Sequence, residues 1–250
     1  MDLTATVSAL LLLLLGLCNA HQGNVRENSL TVEDFLLEGD LVIQKTRTAM
    51  KCRSKAYSCL WPKSANGNVE VPYTISPKYD NSERSTIIRA MKDFETRTCI
   101  RFVPRRSERA YLSIQSRYGC SSLLGRIGDR QKVSLQKFGC IDHGIIQHEL
   151  MHVLGFYHEH TRSDRDQYVR INWKNVPRYY KENFKTQNTE NLNIPYDYNS
   201  VMHYGRTAFG PYGAETIIPF PDPSVPIGQR EGLSKIDILR INTLYKCYRI

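Results

Sequence analysis

The chain has 250 residues, of which 41% are hydrophobic and 24% are charged, and its formal net charge is +9. This composition is typical of a folded globular protein and excludes a disordered chain, and the length suits one large domain or two small ones. A basic chain would suit nucleic acid, but the sequence contains no nucleic-acid-binding motif, so we expect no nucleic-acid partner.

The chain begins with a short apolar run, VSALLLLLLGL at residues 7–17, which is followed by the small residue Ala20. The run is too short to cross a bilayer, which needs about 20 apolar residues. It is typical of a secretory signal peptide. We therefore predict that residues 1–20 are cleaved and that the protein is secreted, with storage in secretory granules before release and no membrane anchor.

Residues 21–47 are polar and acidic and end in KTR. We predict that they form a pro-segment, which an activating protease removes by cutting after Arg47, and that residues 48–250 form the active domain. Loss of residues 1–47 removes three basic and six acidic side chains, so the net charge rises from +9 to +12. Such a surface attracts acidic or glycosylated matrices over long distances.

The pattern of residues 69–138 predicts one long helix among several strands. The segment 82–98 has the capping residue Ser82 at its start and should be helical. Its apolar stripe is formed by Ile87, Ile88, Met91 and Phe94. Runs of β-branched and aromatic residues predict strands at 69–76, 99–105, 111–117 and 131–138. With a second helix at 141–154, this half should be a twisted mixed sheet with two long helices, in an α+β fold.

Residues 148–160, HELMHVLGFYHEH, hold four of the seven histidines of the chain. In a helix over 141–154, His148 and His152 lie four residues apart and project from one face, so their imidazoles can meet one metal ion. Glu149 points about 100° away around the helix axis and lies beside the ion. This is the position of a general base.

Gly155 can adopt the left-handed conformation that ends a helix, so the chain can turn and bring His158 back as a third ligand. Three neutral imidazoles suit zinc and leave one position open for water. The alternative is that these histidines are hydrogen-bonded core residues, and the complete pattern H-E-x-x-H-x-x-G-x-x-H disfavours it.

After Gly155 the sequence is rich in turn residues, and a sustained period returns only in residues 234–246, SKIDILRINTLYK. Ser234 and Asp237 have capping-box spacing. The buried face would consist of Ile238, Ile241 and Tyr245. We therefore predict a mostly irregular C-terminal lobe with one C-terminal helix.

The extended histidine pattern, the methionine in SVMHYG at residues 200–205 and the run EHTRSDRDQYV at 159–169 together resemble the astacin family of zinc endopeptidases, which are metzincins. The resemblance covers the chain from about Cys52 to Cys247. The segments CIRFVPR, GIIQHEL and PSVPIGQR are most similar to the six-cysteine group of bony fishes, which includes hatching enzymes.

The resemblance implies a monomeric, secreted endopeptidase with one zinc ion, bound by His148, His152 and His158, and with Glu149 as the general base. Its substrates would be egg-envelope glycoproteins. One alternative is a leukocyte, digestive or epithelial protease of the same six-cysteine group. An alternative of another class is a secreted, non-catalytic zinc-binding protein, which the presence of Glu149 disfavours.

Further residue roles follow from the resemblance alone. Tyr204 would be a fifth zinc ligand that moves to stabilise the tetrahedral intermediate, and Met202 would form the hydrophobic floor of the site. Glu159 would receive the new amino group of Thr48 after cleavage. In the pro-segment, EGDL at residues 38–41 matches an inhibitory turn in which Asp40 blocks the zinc.

Loss of Cys18 with the signal peptide would leave six cysteines, an even number suited to an oxidising compartment. The sequence alone allows about 15 pairings. A zinc site made of these thiols is disfavoured by their dispersed spacing. The resemblance implies the disulfides Cys52–Cys59, Cys99–Cys247 and Cys120–Cys140.

Overall fold

The computed structural model describes residues 34–44 and 59–247. The expected signal peptide, most of the expected pro-segment, the expected cleavage site at Arg47 and Cys52 lie outside the described residues. Among the residues that are described, no helix is both long enough and apolar enough to span a bilayer.

Seven strands form one mixed sheet: Asp34–Leu37 (β1), Leu41–Gln44 (β2), Val69–Ile75 (β3), Ile100–Pro104 (β4), Tyr111–Gln115 (β5), Cys120–Leu123 (β6) and Arg130–Leu135 (β7). Four of them, β3, β4, β5 and β7, confirm the strands that were predicted from the sequence. Across the sheet the strands lie in the order β1-β2-β6-β7-β5-β3-β4.

Strands β1 and β2 come from the expected pro-segment, and sequence analysis did not predict them. They pair with each other as an antiparallel hairpin, and β2 then pairs in parallel with β6. Strand β6 was also missed, because it is short and two of its four residues are serines. This hairpin is important for the site because its turn, residues 38–40, lies over the histidines.

The described residues contain three regular helices and several shorter helical turns. The helices are Asn81–Arg97 (α1), His143–Val153 (α2) and Lys235–Leu244 (α3). One distorted helical turn lies at Lys137–Cys140, and 3₁₀ turns lie at Glu159–Thr161, Arg165–Gln167, Arg178–Phe184 and Pro211–Gly213.

The N-cap of helix α1 lies two residues earlier than the predicted cap. Asp80 is the N-cap and forms a capping box with Glu83, so the prediction of Ser82 as the cap was wrong. Ile88, which was predicted to be on the buried face, is 37% exposed, and Ala90, which was not, is buried. The buried residues Ile87, Ala90, Met91 and Phe94 follow the i, i+3, i+4, i+7 spacing of one helical face. Ile88 lies off this face.

Phe94 anchors α1 to the sheet, and we expect its truncation to be strongly destabilising. Its side chain is fully buried and packs edge-on against Phe102, with ring centroids 5.5 Å apart. Phe94→Ala should lower the free energy of unfolding by about 3–5 kcal/mol because it leaves a cavity in the core. Chemical denaturation would measure this. Ile88→Ala on the same helix is the control and should have a small effect, and similar losses in both variants would contradict the prediction.

The second half of the chain is largely irregular, as predicted, and α3 confirms the C-terminal helix. Ser234 and Asp237 form the predicted capping box. One feature was missed: Val169–Ile171 (β8) and Ile217–Pro219 (β9) form a two-stranded antiparallel sheet. These strands have three residues each, which is too short for a visible alternation of apolar and polar residues.

Two disulfides connect distant parts of the fold. Cys99 pairs with Cys247, which ties the start of the β4 segment to the end of the α3 segment, and Cys120 pairs with Cys140, which ties β6 to the chain just before α2. Cys59 is also disulfide-bonded. Its expected partner, Cys52, lies outside the described residues.

Candidate metal centre

Helix α2 supplies two of the three histidines. The side chain of Asp142 caps the helix by accepting hydrogen bonds from the backbone N–H groups of Gly144 and Ile145. His148 and His152 are buried on one helical face, with ring centroids 4.9 Å apart. The local spacing therefore places both imidazoles at one point.

The third histidine arrives through a turn at Gly155. This glycine has φ +101°, a value that other residues rarely adopt, and its N–H donates to the carbonyl of His152. The chain then reverses, and the ring of His158 lies 5.0 Å from that of His148 and 4.7 Å from that of His152. The predicted triad is brought together.

The outer ring nitrogens of the triad determine how the inner ones can act. The Nδ1 atoms of His148 and His152 lie 2.8 Å from the carbonyl oxygens of Val201 and Phe156, respectively. A carbonyl only accepts a hydrogen bond, so each Nδ1 is the protonated donor and each Nε2 presents a lone pair. The Nδ1 of His158 lies 2.5 Å from a carboxylate oxygen of Glu38.

Asp40, at the turn between β1 and β2, places its carboxylate among the three inner nitrogens. Its oxygens lie 3.1 Å from Nε2 of His148, 3.5 Å from Nε2 of His152 and 3.3 Å from Nε2 of His158. Burial opposes the ionisation of Asp40, but the positive charge of His158 and the close contacts with the three imidazoles hold its pKa well below the usual value. Asp40 therefore faces the histidines as an anion.

These four groups fit a zinc ion. One ligand atom from each lies within 4.8 Å of all the others. Among the described residues, Nε2 of His152 and Oδ1 of Asp40 are buried and have no hydrogen-bond partner. Three imidazole nitrogens and one carboxylate oxygen are a donor set that zinc accepts in tetrahedral geometry. His148, His152, His158 and Asp40 would thus hold the ion in the uncut chain.

Glu149 lies beside this group and not in it. Its side chain is buried, and its Oε2 atom has no hydrogen-bond partner among the described residues. Burial, reinforced by the negative charge of Asp40, raises the pKa of Glu149 well above its usual value. A carboxylate with a raised pKa is well suited to accept and return a proton.

Tyr204 lies against the triad, with its ring centroid 4.5 Å from that of His158, and Met202 lies two residues before it. The Tyr204 hydroxyl donates a hydrogen bond to the backbone carbonyl of Glu38, and its ring stacks on His160 at a centroid distance of 4.0 Å. The phenol is therefore held by the backbone of the expected pro-segment. Met202 is buried in the main core, and its carbonyl accepts the N–H of Glu159.

Glu159, expected to bind the new amino terminus, already has a cationic partner in this structure. The Nη1 and Nη2 atoms of Arg240 donate hydrogen bonds to its carboxylate, and the backbone N–H of Asp197 donates to the same group at 2.7 Å. Burial raises the pKa of Glu159, whereas the charge of Arg240 lowers it. A cavity of about 70 Å³ adjoins Glu159. Thr48 lies outside the described residues.

Two contacts of the 38–40 turn were not foreseen. Glu38 is fully buried and bonds His158, which lies 120 positions later in the chain. Gly39 has φ +81°, and a Cβ atom there would lie 2.5 Å from Cζ of Phe209. No local pattern indicates either contact, because both depend on how the turn packs against residues that are distant in the chain.

A model of the Astacin family of peptidases matches residues 57–246. The chain belongs to the astacin family. This astacin is 54% identical to the Low choriolytic enzyme of Oryzias latipes in an alignment of 272 residues. The alignment covers 99% of this chain and 100% of the relative. It is 55% identical to High choriolytic enzyme 1 of the same fish in an alignment of 216 residues, and this alignment covers 86% of this chain and 79% of the relative.

Solved structures agree with this astacin in fold. The structure of High choriolytic enzyme 1, described as a hatching enzyme zinc-protease, matches with a TM-score of 0.76 at 54% identity, covering 80% of this chain and 100% of that one. Myroilysin matches with a TM-score of 0.55 at 18% identity, which shows a shared fold only. The predictions of an α+β zincin fold and of a zinc metalloendopeptidase are confirmed. Membership in a peptidase family removes the non-catalytic alternative.

Proposed function

We propose that this astacin is the secreted, latent precursor of a hatching protease that digests egg-envelope glycoproteins. The latency is supported by the carboxylate of Asp40, which lies among the inner nitrogens of the three histidines. The substrate class is supported by the full-length similarity to the Low choriolytic enzyme. In this proposal residues 1–20 are the signal peptide, 21–47 the pro-segment and 48–250 the catalytic domain.

In the cut enzyme, Asp40 departs and a water molecule takes its place. His148, His152 and His158 would hold the zinc ion, which would supply Lewis-acid activation of a water molecule and of the scissile carbonyl. Glu149 accepts the proton of the attacking water and returns it to the leaving amine. Departure of Glu38 frees the phenol of Tyr204, which then donates a hydrogen bond to the developing oxyanion. In the resting enzyme, before substrate binds, the same phenol would be a fifth zinc ligand.

Cleavage after Arg47 also supplies an amino group for Glu159. The cavity beside Glu159 is the proposed place for the new terminus. Because Arg240 already neutralises this carboxylate, the ammonium of Thr48 would share it with the guanidinium. A second cation favours the ionised form of a buried carboxylate, and this offsets part of its desolvation.

The remaining proposals concern partners and location. The enzyme would act as a monomer, after release from secretory granules and cleavage by an activating protease. With residues 1–47 removed, the net charge of +12 would attract acidic or glycosylated envelope proteins. This attraction is long-range, so digestion should slow as salt is added.

The decisive test uses isolated fish egg envelopes and casein as parallel substrates for the cut protein. A hatching protease should solubilise the envelopes, and a zinc chelator should stop this. Cleavage of casein together with intact envelopes would contradict the proposed substrate and favour the leukocyte or digestive alternative. Expression confined to adult tissue would do the same.

Tyr204→Phe tests the role of the phenol in the cut enzyme. The variant keeps the ring that stacks on His160 and loses only the hydroxyl, so kcat should fall by about 10² with a modest change in KM. Tyr198→Phe is the matched control, because its hydroxyl bonds the backbone carbonyls of Tyr168 and Phe220. Steady-state peptide hydrolysis measures both. An unchanged kcat in Tyr204→Phe would assign that residue to packing.

A further inference from the structure

The hydrogen-bond partners of the three Nδ1 atoms come from different parts of the chain. His148 and His152 bond to carbonyls of Val201 and Phe156, both of which lie in the proposed catalytic domain. His158 bonds to the carboxylate of Glu38, which lies in the proposed pro-segment. Activation would therefore leave the first two contacts in place and remove the third.

Glu38 makes this contact from a buried position and with an uncommon backbone conformation. It is fully buried and has φ +55°, which is uncommon for a residue other than glycine. The carboxylate lies 2.5 Å from Nδ1 and 3.4 Å from the backbone nitrogen of His158. Burying a carboxylate is costly unless it is paired. An imidazole N–H whose ring also binds a divalent cation is a strong partner.

A carboxylate that accepts the outer N–H of a ligating histidine orients the ring and makes its inner nitrogen more basic, and removal of such a partner typically costs about 10–100-fold in metal affinity. We propose that Glu38 is a positioning residue that strengthens zinc binding through His158 in the uncut chain only. The precursor thus holds its zinc more tightly than the cut enzyme, beyond the contribution of Asp40 as a fourth ligand. This inference rests on the proposed release of residues 21–47.

Asp40 and Glu38 share one turn, so their effects on zinc must be separated. Glu38→Ala could weaken zinc binding simply by loosening the turn and withdrawing Asp40. A double-mutant cycle distinguishes these routes. If Glu38 acts through His158, its replacement weakens zinc binding by a similar factor whether residue 40 is Asp or Asn. If it acts only through Asp40, the effect disappears in the Asp40→Asn background.

The experiment measures zinc dissociation constants of uncut proteins by competition with a fluorescent chelator. The set is wild type, Glu38→Ala, Glu38→Gln, Asp40→Asn and Glu38→Ala with Asp40→Asn. Glu38→Ala should weaken zinc binding by about 10–100-fold in both backgrounds. Glu38→Gln should fall between Glu38→Ala and wild type, because the amide oxygen still accepts the imidazole N–H but lacks the charge.

Cleavage supplies a matched control, since residues 48–250 are identical in wild type and Glu38→Ala. After cutting and removal of the pro-segment, the two should bind zinc equally. NMR of the uncut proteins gives an independent signature: the Nδ1 proton of His158 should be strongly downfield in wild type and lose that shift in Glu38→Ala. The proposal is overturned by equal zinc affinities of uncut wild type and uncut Glu38→Ala, or by an effect of Glu38→Ala that is confined to the Asp40 background. None of these outcomes depends on the egg-envelope assay, which tests the proposed function separately.

Discussion

Glu149→Gln should abolish most peptide hydrolysis while leaving zinc binding and the fold intact. Glu149 lies beside the inner nitrogens and is absent from the group of ligand atoms that lie within 4.8 Å of one another. Glutamine has nearly the same shape but cannot accept the proton of the attacking water. General acid–base catalysis typically contributes about 10²–10⁴-fold. We therefore expect kcat/KM of the cut enzyme to fall by several orders of magnitude.

The measurement combines peptide hydrolysis with zinc content and thermal unfolding of the same samples. Glu70→Gln is the control, because Glu70 is an exposed glutamate in β3 and the change should leave activity unaltered. Zinc content of about one ion per chain together with wild-type activity in Glu149→Gln would refute the assigned role. Loss of zinc in this variant would indicate a ligand or a structural residue.

The second large effect concerns Asp40 and the cut after Arg47. The uncut wild-type protein should be inactive, because the Asp40 carboxylate occupies the position between the histidines that water needs. Asp40→Ala should give the uncut protein partial activity. It should not give full activity, because Tyr204 still bonds the carbonyl of Glu38 and the amino group proposed for Glu159 is still absent.

Four samples test this: wild type and Asp40→Ala, each cut and uncut, in a peptide assay with mass spectrometry of the new terminus. Cleavage removes residue 40, so the two cut samples share one sequence and should have equal activity. Complete latency of the uncut Asp40→Ala protein would show that Asp40 is not the zinc lock by itself. A new terminus far from Thr48 would refute the cleavage site.

Gly39 provides an independent route to the same result. Any side chain at this position would have to adopt φ +81° and would meet the Phe209 ring. Gly39→Ala should therefore displace the turn and activate the uncut protein in part, although it leaves both carboxylates in the sequence. If the uncut Gly39→Ala protein remained fully inactive, the prediction would be contradicted, because the turn would still block the site.

The comparison of sequence and structure shows which predictions depended on local geometry. The stripe on α1 was assigned correctly for Ile87, Met91 and Phe94 and wrongly for Ile88, because four apolar residues on a helix fit more than one face. Ser82 was chosen as the cap, although Asp80 with Glu83 forms the capping box. Both errors are shifts of one or two residues, a scale at which local propensities differ little.

By itself, the sequence predicted the fold class, the three histidines as zinc ligands and Glu149 as the base beside them, and the structure brings the three histidines together. The reason is that His148, His152 and Glu149 are placed by the period of one helix, and His158 by a short turn at Gly155, so all of the geometry lies within eleven residues. The capping box of Ser234 and Asp237 is local in the same way.

Only the tertiary structure decided which groups surround this triad. Glu38 meets His158 across 120 positions and Arg240 meets Glu159 across 81, and neither pair has a local sequence pattern. The β1–β2 hairpin reaches the site because β2 pairs with β6, a strand that was itself not predicted. Such contacts arise when separate elements pack together, and their partners are set by the arrangement of the whole fold. Spacing along the chain therefore predicts which residues can meet one metal ion, whereas packing determines which other groups contact those residues.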